Sequence, residues 1–209
     1  MQHVDELSQI RIEAEIAKLI IFEDLLDSTA GAYPVDVDRP MMRKQAWVFQ
    51  LYDQARASGR ILQMTEREMR ELIENTSERI GLLASDQAQE CDLDTDYDEL
   101  GGGACWKLIR ERGIYARTKL YADGIRAFIS VREKESDEYV YTIGRMSPFV
   151  NFPMSRILDR LNEVDGRVGS NDRWGGGDTI GGSPRQSGSR IKPSQIEQFV
   201  NEVVDSMQR

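Results

Sequence analysis

Between Trp174 and Ile191 the chain reads WGGGDTIGGSPRQSGSRI, a glycine-rich run that carries Arg185 and the hydroxyls of Ser183, Ser187 and Ser189. Those residue types in that order suit anion binding. Glycines let backbone N–H groups approach a ligand closely, and successive N–H groups form a concave nest. An arginine supplies a planar fork of donors, and serine hydroxyls add more. The run leads straight into an amphipathic helix. A flexible Gly/Ser linker is the plainer reading, but a linker does not normally interleave Trp174, Ile180, Pro184, Arg185 and Ile191 among its glycines. A phosphate or other anion cradle is the expectation.

Other chemistries lack their ligands. Cys91 and Cys105 do not form a CxxC pair and the single histidine is His3, so a Cys/His zinc site has too few donors. With no secretion signal in MQHVDELSQ, free thiols are expected rather than a disulfide. Asp92, Asp94, Asp96 and Asp98 open like an EF-hand loop. However, Tyr97 stands where that loop needs Gly, and Gly103 where it needs Glu. Asp24, Asp27, Asp36 and Asp38 sit in or beside a loop with no ligand spacing.

The 209 residues include 36 acidic and 27 basic side chains, a net charge of −9. That balance excludes a generally basic, nucleic-acid-coating surface, so any nucleic-acid contact must be local. The longest apolar run, Leu19 to Phe22, is too short to span a bilayer. No membrane association and a cytoplasmic location are expected.

The elements that would position the glycine-rich run follow from periodicity. Val4, Leu7, Ile10, Ala14, Ala17, Ile21 and Leu25 predict an amphipathic helix over 4–26, its apolar face widened by Ile12, Ile16, Leu19, Ile20, Phe22 and Leu26. Gly31, Pro34 and Pro40 predict a loop over 27–40. A second helix over 41–57 is expected to bury Trp47, Val48, Leu51 and Tyr52. Thr65 and Glu68 form a capping box for a third, with Met69, Leu72, Ile73, Ile80 and Leu83 as its core side. The seven acids of 85–99, with no base among them, mark a boundary.

From there the period turns to two. Strands are expected over 114–121 and 125–131, joined as a hairpin by Asp123–Gly124, and over 139–143 after a charged turn at 133–138. A helix over 153–161, a short strand over 189–191 and a last helix capped by Ser194 and Glu197 complete the chain. The fold class is therefore α+β: a helical N-terminal half, then a small α/β domain with a mixed sheet and a terminal helix. The divisions are a helical region over 1–84, an acidic and Gly-rich linker over 85–112, and a domain over 113–209.

The order of features from Ile114 onward resembles the C-terminal, DHH-associated domain of the DHH phosphoesterase superfamily, which includes RecJ-like nucleases, oligoribonuclease/phosphatases and exopolyphosphatases. In that domain strands and a helix lead to a signature close to GGGH with small residues and Gly after it. The matching positions are Gly181, Gly182, Ser183, Pro184, Arg185, Gln186, Ser187 and Gly188. The resemblance implies Gly181, Gly182 and Gly188 for close backbone approach and Ser183, Arg185 and Ser187 as anion contacts. It also implies that Arg145, in YTIGRMSPF, reaches the substrate; a solvated strand-end arginine remains the alternative reading.

Two departures matter. Ser183 replaces the signature histidine, and Asp-His-His appears nowhere. The family's Mn or Mg ions belong to that missing catalytic half, so this chain is not expected to bind a cofactor or to hydrolyse a phosphoester by itself. What the resemblance implies is a substrate-binding half for a short single-stranded oligonucleotide, a nucleotide or polyphosphate, paired with a catalytic partner chain. Residues 1–84 are then either the end of a catalytic domain, with DLLDSTAGAY echoing a late metal-binding Asp, or a homodimerisation module. A non-enzymatic interaction protein built on the N-terminal apolar helices is the alternative function.

Overall fold

The computed structural model describes residues 2–29, 31–32, 36–134 and 137–207, with side chains from Arg11 onward. The chain forms two compact units: Met1–Leu25 with Asp36–Asp94, and Leu26–Val35 with Thr95–Arg209. Expectations for the side chains of His3, Val4, Leu7 and Ile10, for Pro34, and for positions 135–136 of the charged turn lie outside the described residues. The first unit carries 10 basic and 18 acidic side chains and the second 17 and 18, so the net acidity belongs almost wholly to the first.

The first unit is helical: α1 (Gln2–Ser28), α2 (Pro40–Ala57) and α3 (Glu66–Ala84), with a short 3₁₀ turn at Arg60–Gln63. Pro40 opens α2, where its missing N–H costs nothing, and Gly59 follows its end at φ 73°. Thr65 and Glu68 form the expected capping box: the Glu68 N–H donates to the Thr65 hydroxyl at 3.3 Å, and the Thr65 N–H donates to the Glu68 carboxylate at 2.9 Å. Leu19, Trp47, Val48 and Leu83 form the core. The Arg79 guanidinium lies 4.6 Å from the Trp47 ring centre and also donates to the Trp47 carbonyl.

The second unit is a six-stranded mixed sheet in the order β1-β2-β3-β4-β6-β5. Its strands are β1 (Tyr97–Gly102), β2 (Lys107–Glu111), β3 (Ala127–Lys134), β4 (Glu138–Arg145), β5 (Gly175–Gly176) and β6 (Ile180–Gly182). β2 and β3 pair in parallel and the other neighbours are antiparallel. The parallel step requires a crossover, and α4 (Ala116–Leu120) lies on it. Alternate residues of β3 serve two cores. Ala127, Ile129 and Val131 pack with α5 (Met154–Val164) and α6 (Pro193–Ser206), while Phe128 packs with Ile109, Leu120, Tyr121 and Ala32. α6 buries Ile196, Val200 and Val204, one residue per turn.

The α+β class, the Thr65 cap, β3, β4, α5 and α6 agree with the sequence reading. Several elements differ. The expected strand over 114–121 is the crossover helix α4. The Asp123–Gly124 pair is no hairpin turn: Gly124, at φ 86°, donates its N–H to the Tyr121 carbonyl at 3.1 Å, and Ile125 donates to the Leu120 carbonyl at 3.0 Å. That is a Schellman helix end, which uses the same left-handed glycine as a type I′ turn.

The expected linker over 85–112 contains β1 and β2. Its GGG triplet is a close contact, because the Gly102 N–H donates to the Glu197 carboxylate at 2.9 Å, Asn201 donates to the Gly102 carbonyl at 3.1 Å, and a side chain at Gly101 would meet Glu197 at 2.5 Å. Ser189 makes a single bridge to Tyr139 rather than a strand. The α6 cap is Lys192 rather than Ser194, with its N–H donating to the Gln195 side chain at 3.1 Å. In the helical unit Ile73 and Tyr52 are exposed and Leu51 is half-buried. On α1 the covered stripe is Ile12, Glu15, Leu19 and Phe22, whereas Ala14, Ala17 and Ile21 face solvent.

Candidate functional site

The glycine-rich run is ordered and largely built into the sheet. Trp174 is buried at its start, donating its indole N–H to the Asp165 carboxylate at 2.8 Å, while Asn162 exchanges two hydrogen bonds with the Trp174 backbone at 2.9 and 3.0 Å. β5 and β6 then form a tight glycine hairpin in which Gly175 faces Gly182 and Gly176 faces Gly181. A side chain at Gly181 would meet the Gly175 carbonyl at 3.0 Å, and one at Gly182 would meet the Tyr141 carbonyl at 2.7 Å. What approaches these two glycines closely is the backbone of neighbouring strands.

Ser183 is buried. Its N–H donates to the Tyr141 carbonyl and its hydroxyl accepts from the Tyr141 N–H, both at 3.1 Å, which prolongs the β4–β6 ladder. Ser189 is likewise fully buried and its hydroxyl accepts from the Ile191 N–H at 3.1 Å. Burial pushes the Tyr141 phenol far above its ordinary range, and the phenol donates to the Ile191 carbonyl at 2.6 Å. These hydroxyls join strands and loop ends within the unit.

The loop between Ser183 and Ser189 is where an anion sits. The Asp172 carboxylate accepts from the Gln186 N–H at 3.1 Å and from the Ser187 N–H at 2.8 Å, one oxygen each. The Gln186 amide, then the amide and hydroxyl of Ser187 and the amide of Arg185, hold the Asp172 carboxyl below the usual carboxylate range against a smaller desolvation effect. Gly188, at φ 62°, turns the chain out of this nest. Arg167 braces the loop from behind, donating to the Ser187 carbonyl at 2.6 Å and pairing with Glu138 at 2.8 Å. The Arg185 side chain is exposed, with no partner among the described residues.

Arg145 stands elsewhere. It closes β4 with its N–H on the Thr179 carbonyl at 2.9 Å, and its guanidinium donates to the carbonyls of Asp178, Val150 and Phe152 at 2.5, 3.2 and 3.1 Å. It meets no carboxylate among the described residues. Ser183 lies opposite Tyr141 and Ser189 opposite Tyr139, so Arg145 is four to six β4 residues from the loop, or about 13–20 Å. Thus the loop gathers Ser183, Arg185, Ser187 and Gly188, with Gly181 and Gly182 leading into it, and Arg145 is not among them.

The residue that sequence reasoning missed is Asp172. Its partners lie 14 and 15 positions away and nothing in SNDRW marks it as an internal anion. Among the described residues no group of three or more His, Cys, Asp or Glu side chains is disposed to hold a metal ion. No described helix is long and apolar enough to cross a membrane. In comparisons with known proteins, no family model, no curated protein and no solved structure matches this chain.

Proposed function

We propose that the sheet unit binds a phosphate-containing ligand, a nucleotide, short oligonucleotide or polyphosphate, at the loop Pro184–Gly188, as the substrate-binding half of a DHH phosphoesterase-like system. The supporting observation is the nest itself. Its amides converge on a carboxylate with the uncommitted Arg185 beside them, and a phosphate oxygen asks for the same donors. In this reading Asp172 keeps the nest shaped and yields to the ligand. Phosphoester cleavage belongs to a metal-bearing partner, so binding without turnover is expected.

The test is calorimetric titration with a mononucleotide and a short oligonucleotide, with and without Mn²⁺, beside an assay for released product. Metal-independent binding that Arg185→Ala weakens by about tenfold or more, at unchanged melting temperature, supports the reading. Binding untouched by Arg185→Ala, or turnover by this chain alone, sinks it.

A second reading, association through the helical unit, has its own observation: on α1, Ile16, Ile20 and Ile21 are 37%, 63% and 59% exposed. Apolar side chains clustered on one helix suit a helical partner or a second copy. Sedimentation of wild type against Ile20→Glu tests the second copy, which a monomer in both would remove.

A further inference from the structure

At the end of the sheet unit where β2 and β3 begin and β4 ends, the surface opens into a groove of about 920 Å³. Its walls include Tyr121, Arg126 and Phe149. Three properties single it out. The Tyr121 hydroxyl is buried, in a residue 4% exposed, and has no hydrogen-bond partner among the described residues. Buried hydroxyls are satisfied in nearly all proteins, so one without a partner, on a residue that lines a groove, is a donor lacking its acceptor. Burial also pushes its pKa far up, which keeps it a neutral donor.

Charge is the second property. The acids of the lining are already committed: Glu99 pairs with Lys107, and Asp123 accepts from the Tyr97 hydroxyl at 2.7 Å and faces Lys119 at 3.8 Å. Arg126 is exposed with no partner among the described residues, so its guanidinium is available to an anion. The third is Phe149, a residue 96% exposed that lines the groove together with Met146. An aromatic face with nothing on it is a stacking platform. Arg145 fixes that rim by holding the Val150 carbonyl.

We infer that this groove binds a planar, anionic ligand of mononucleotide size: the ring stacks on Phe149, a ring acceptor takes the Tyr121 hydroxyl, and the anionic group meets Arg126. The volume fits, since small-molecule sites run from roughly 300 to 1,000 Å³. This site is independent of the Pro184–Gly188 loop, which lies at the other end of β4.

The experiment is titration of the full chain with adenosine monophosphate, with inorganic phosphate and adenosine as separate probes. The variants are Arg126→Ala, Phe149→Ala, Tyr121→Phe and, for the loop, Arg185→Ala. Losses of about tenfold or more for Arg126→Ala, about 5- to 100-fold for Phe149→Ala and about 2- to 10-fold for Tyr121→Phe are expected. Melting temperatures should stay unchanged. Arg185→Ala should remove only the loop's share of adenosine monophosphate binding and leave intact the share that the three groove variants lose. Absence of binding, binding unchanged in the three groove variants, or inorganic phosphate binding as tightly as the nucleotide would each overturn the inference. Loss in Arg185→Ala alone would place the ligand in the loop and remove it from the groove.

Discussion

The backbone N–H of Ser187 donates to the Asp172 carboxylate at 2.8 Å, with the Gln186 N–H on the other oxygen at 3.1 Å. This internal anion occupies the donors that a ligand phosphate would use. Replacement Asp172→Ala therefore exposes the nest and should raise phosphate affinity while loosening the loop, read as tighter binding together with faster amide exchange at Gln186 and Ser187. Weaker binding in that variant would assign Asp172 to the ligand site as a support rather than a competitor.

The same contact sets a pH dependence. The folded-state pKa of Asp172 lies below its unfolded value, so its contribution is fully present above the ordinary carboxylate range and is lost as pH falls through the folded value. Glu68 behaves likewise in the helical unit, its carboxyl pulled down to about 2 first by the Thr65 amide, then by the Thr65 hydroxyl and Arg60. Thermal melts should thus lose stability only below about pH 4.5, and that loss should shrink in Glu68→Gln and Asp172→Asn. A melting temperature flat from pH 5 to 2 would contradict this.

Glu111 joins three elements. Its carboxylate is 9% exposed, pairs with Arg117 at 2.7 Å and Arg132 at 2.9 Å, and takes a hydrogen bond from the Ser130 side chain. Desolvation is the largest single influence and raises its pKa, but Arg117, Ser130 and Arg132 together outweigh it and hold the carboxyl down. Glu111→Ala should cost about 1–3 kcal/mol, at the low end of buried pairs because Arg132 is half exposed. Denaturant titration at pH 7 measures it.

The contact between β1 and α6 has no room for a side chain. Gly102 sits at φ 140°, where an added Cβ would run into the Trp106 carbonyl, and one at the neighbouring Gly101 would meet the Glu197 carboxylate. Gly102→Ala should destabilise the sheet unit by about 1–3 kcal/mol, through strain and loss of the Glu197 bond. Denaturant unfolding of the variant beside wild type measures it.

Tyr121→Phe reads the buried Tyr121 hydroxyl directly. Removing a buried donor with no partner should leave stability unchanged or raise it by up to about 1 kcal/mol. A clear loss would mean that the hydroxyl is satisfied in solution by ordered water.

Sequence alone determined the features that depend on near neighbours. The Thr65–Glu68 box, the apolar stripe Ile196–Val200–Val204 and the β-branched and aromatic runs of β3 and β4 are written within a few residues of where they act. The glycine run was legible as a place of close backbone approach for the same reason: lack of Cβ is a property of the residue. What that glycine approaches is not. Gly124 serves a helix end or a hairpin equally well, and only the crossover joining the parallel strands β2 and β3 made it the former.

The acidic stretch before Gly101 looked like a linker because β1 is an edge strand with little apolar content. Pairing with β2 and the reach of Glu197 and Asn201 from α6 made Tyr97–Gly102 sheet, while 85–96 carries no strand or helix. Tertiary structure likewise placed Asp172 in the nest, moved Arg145 to the far end of β4 and opened the Tyr121 groove. Each is a relation between residues distant in the chain, and local periodicity carries no term for them.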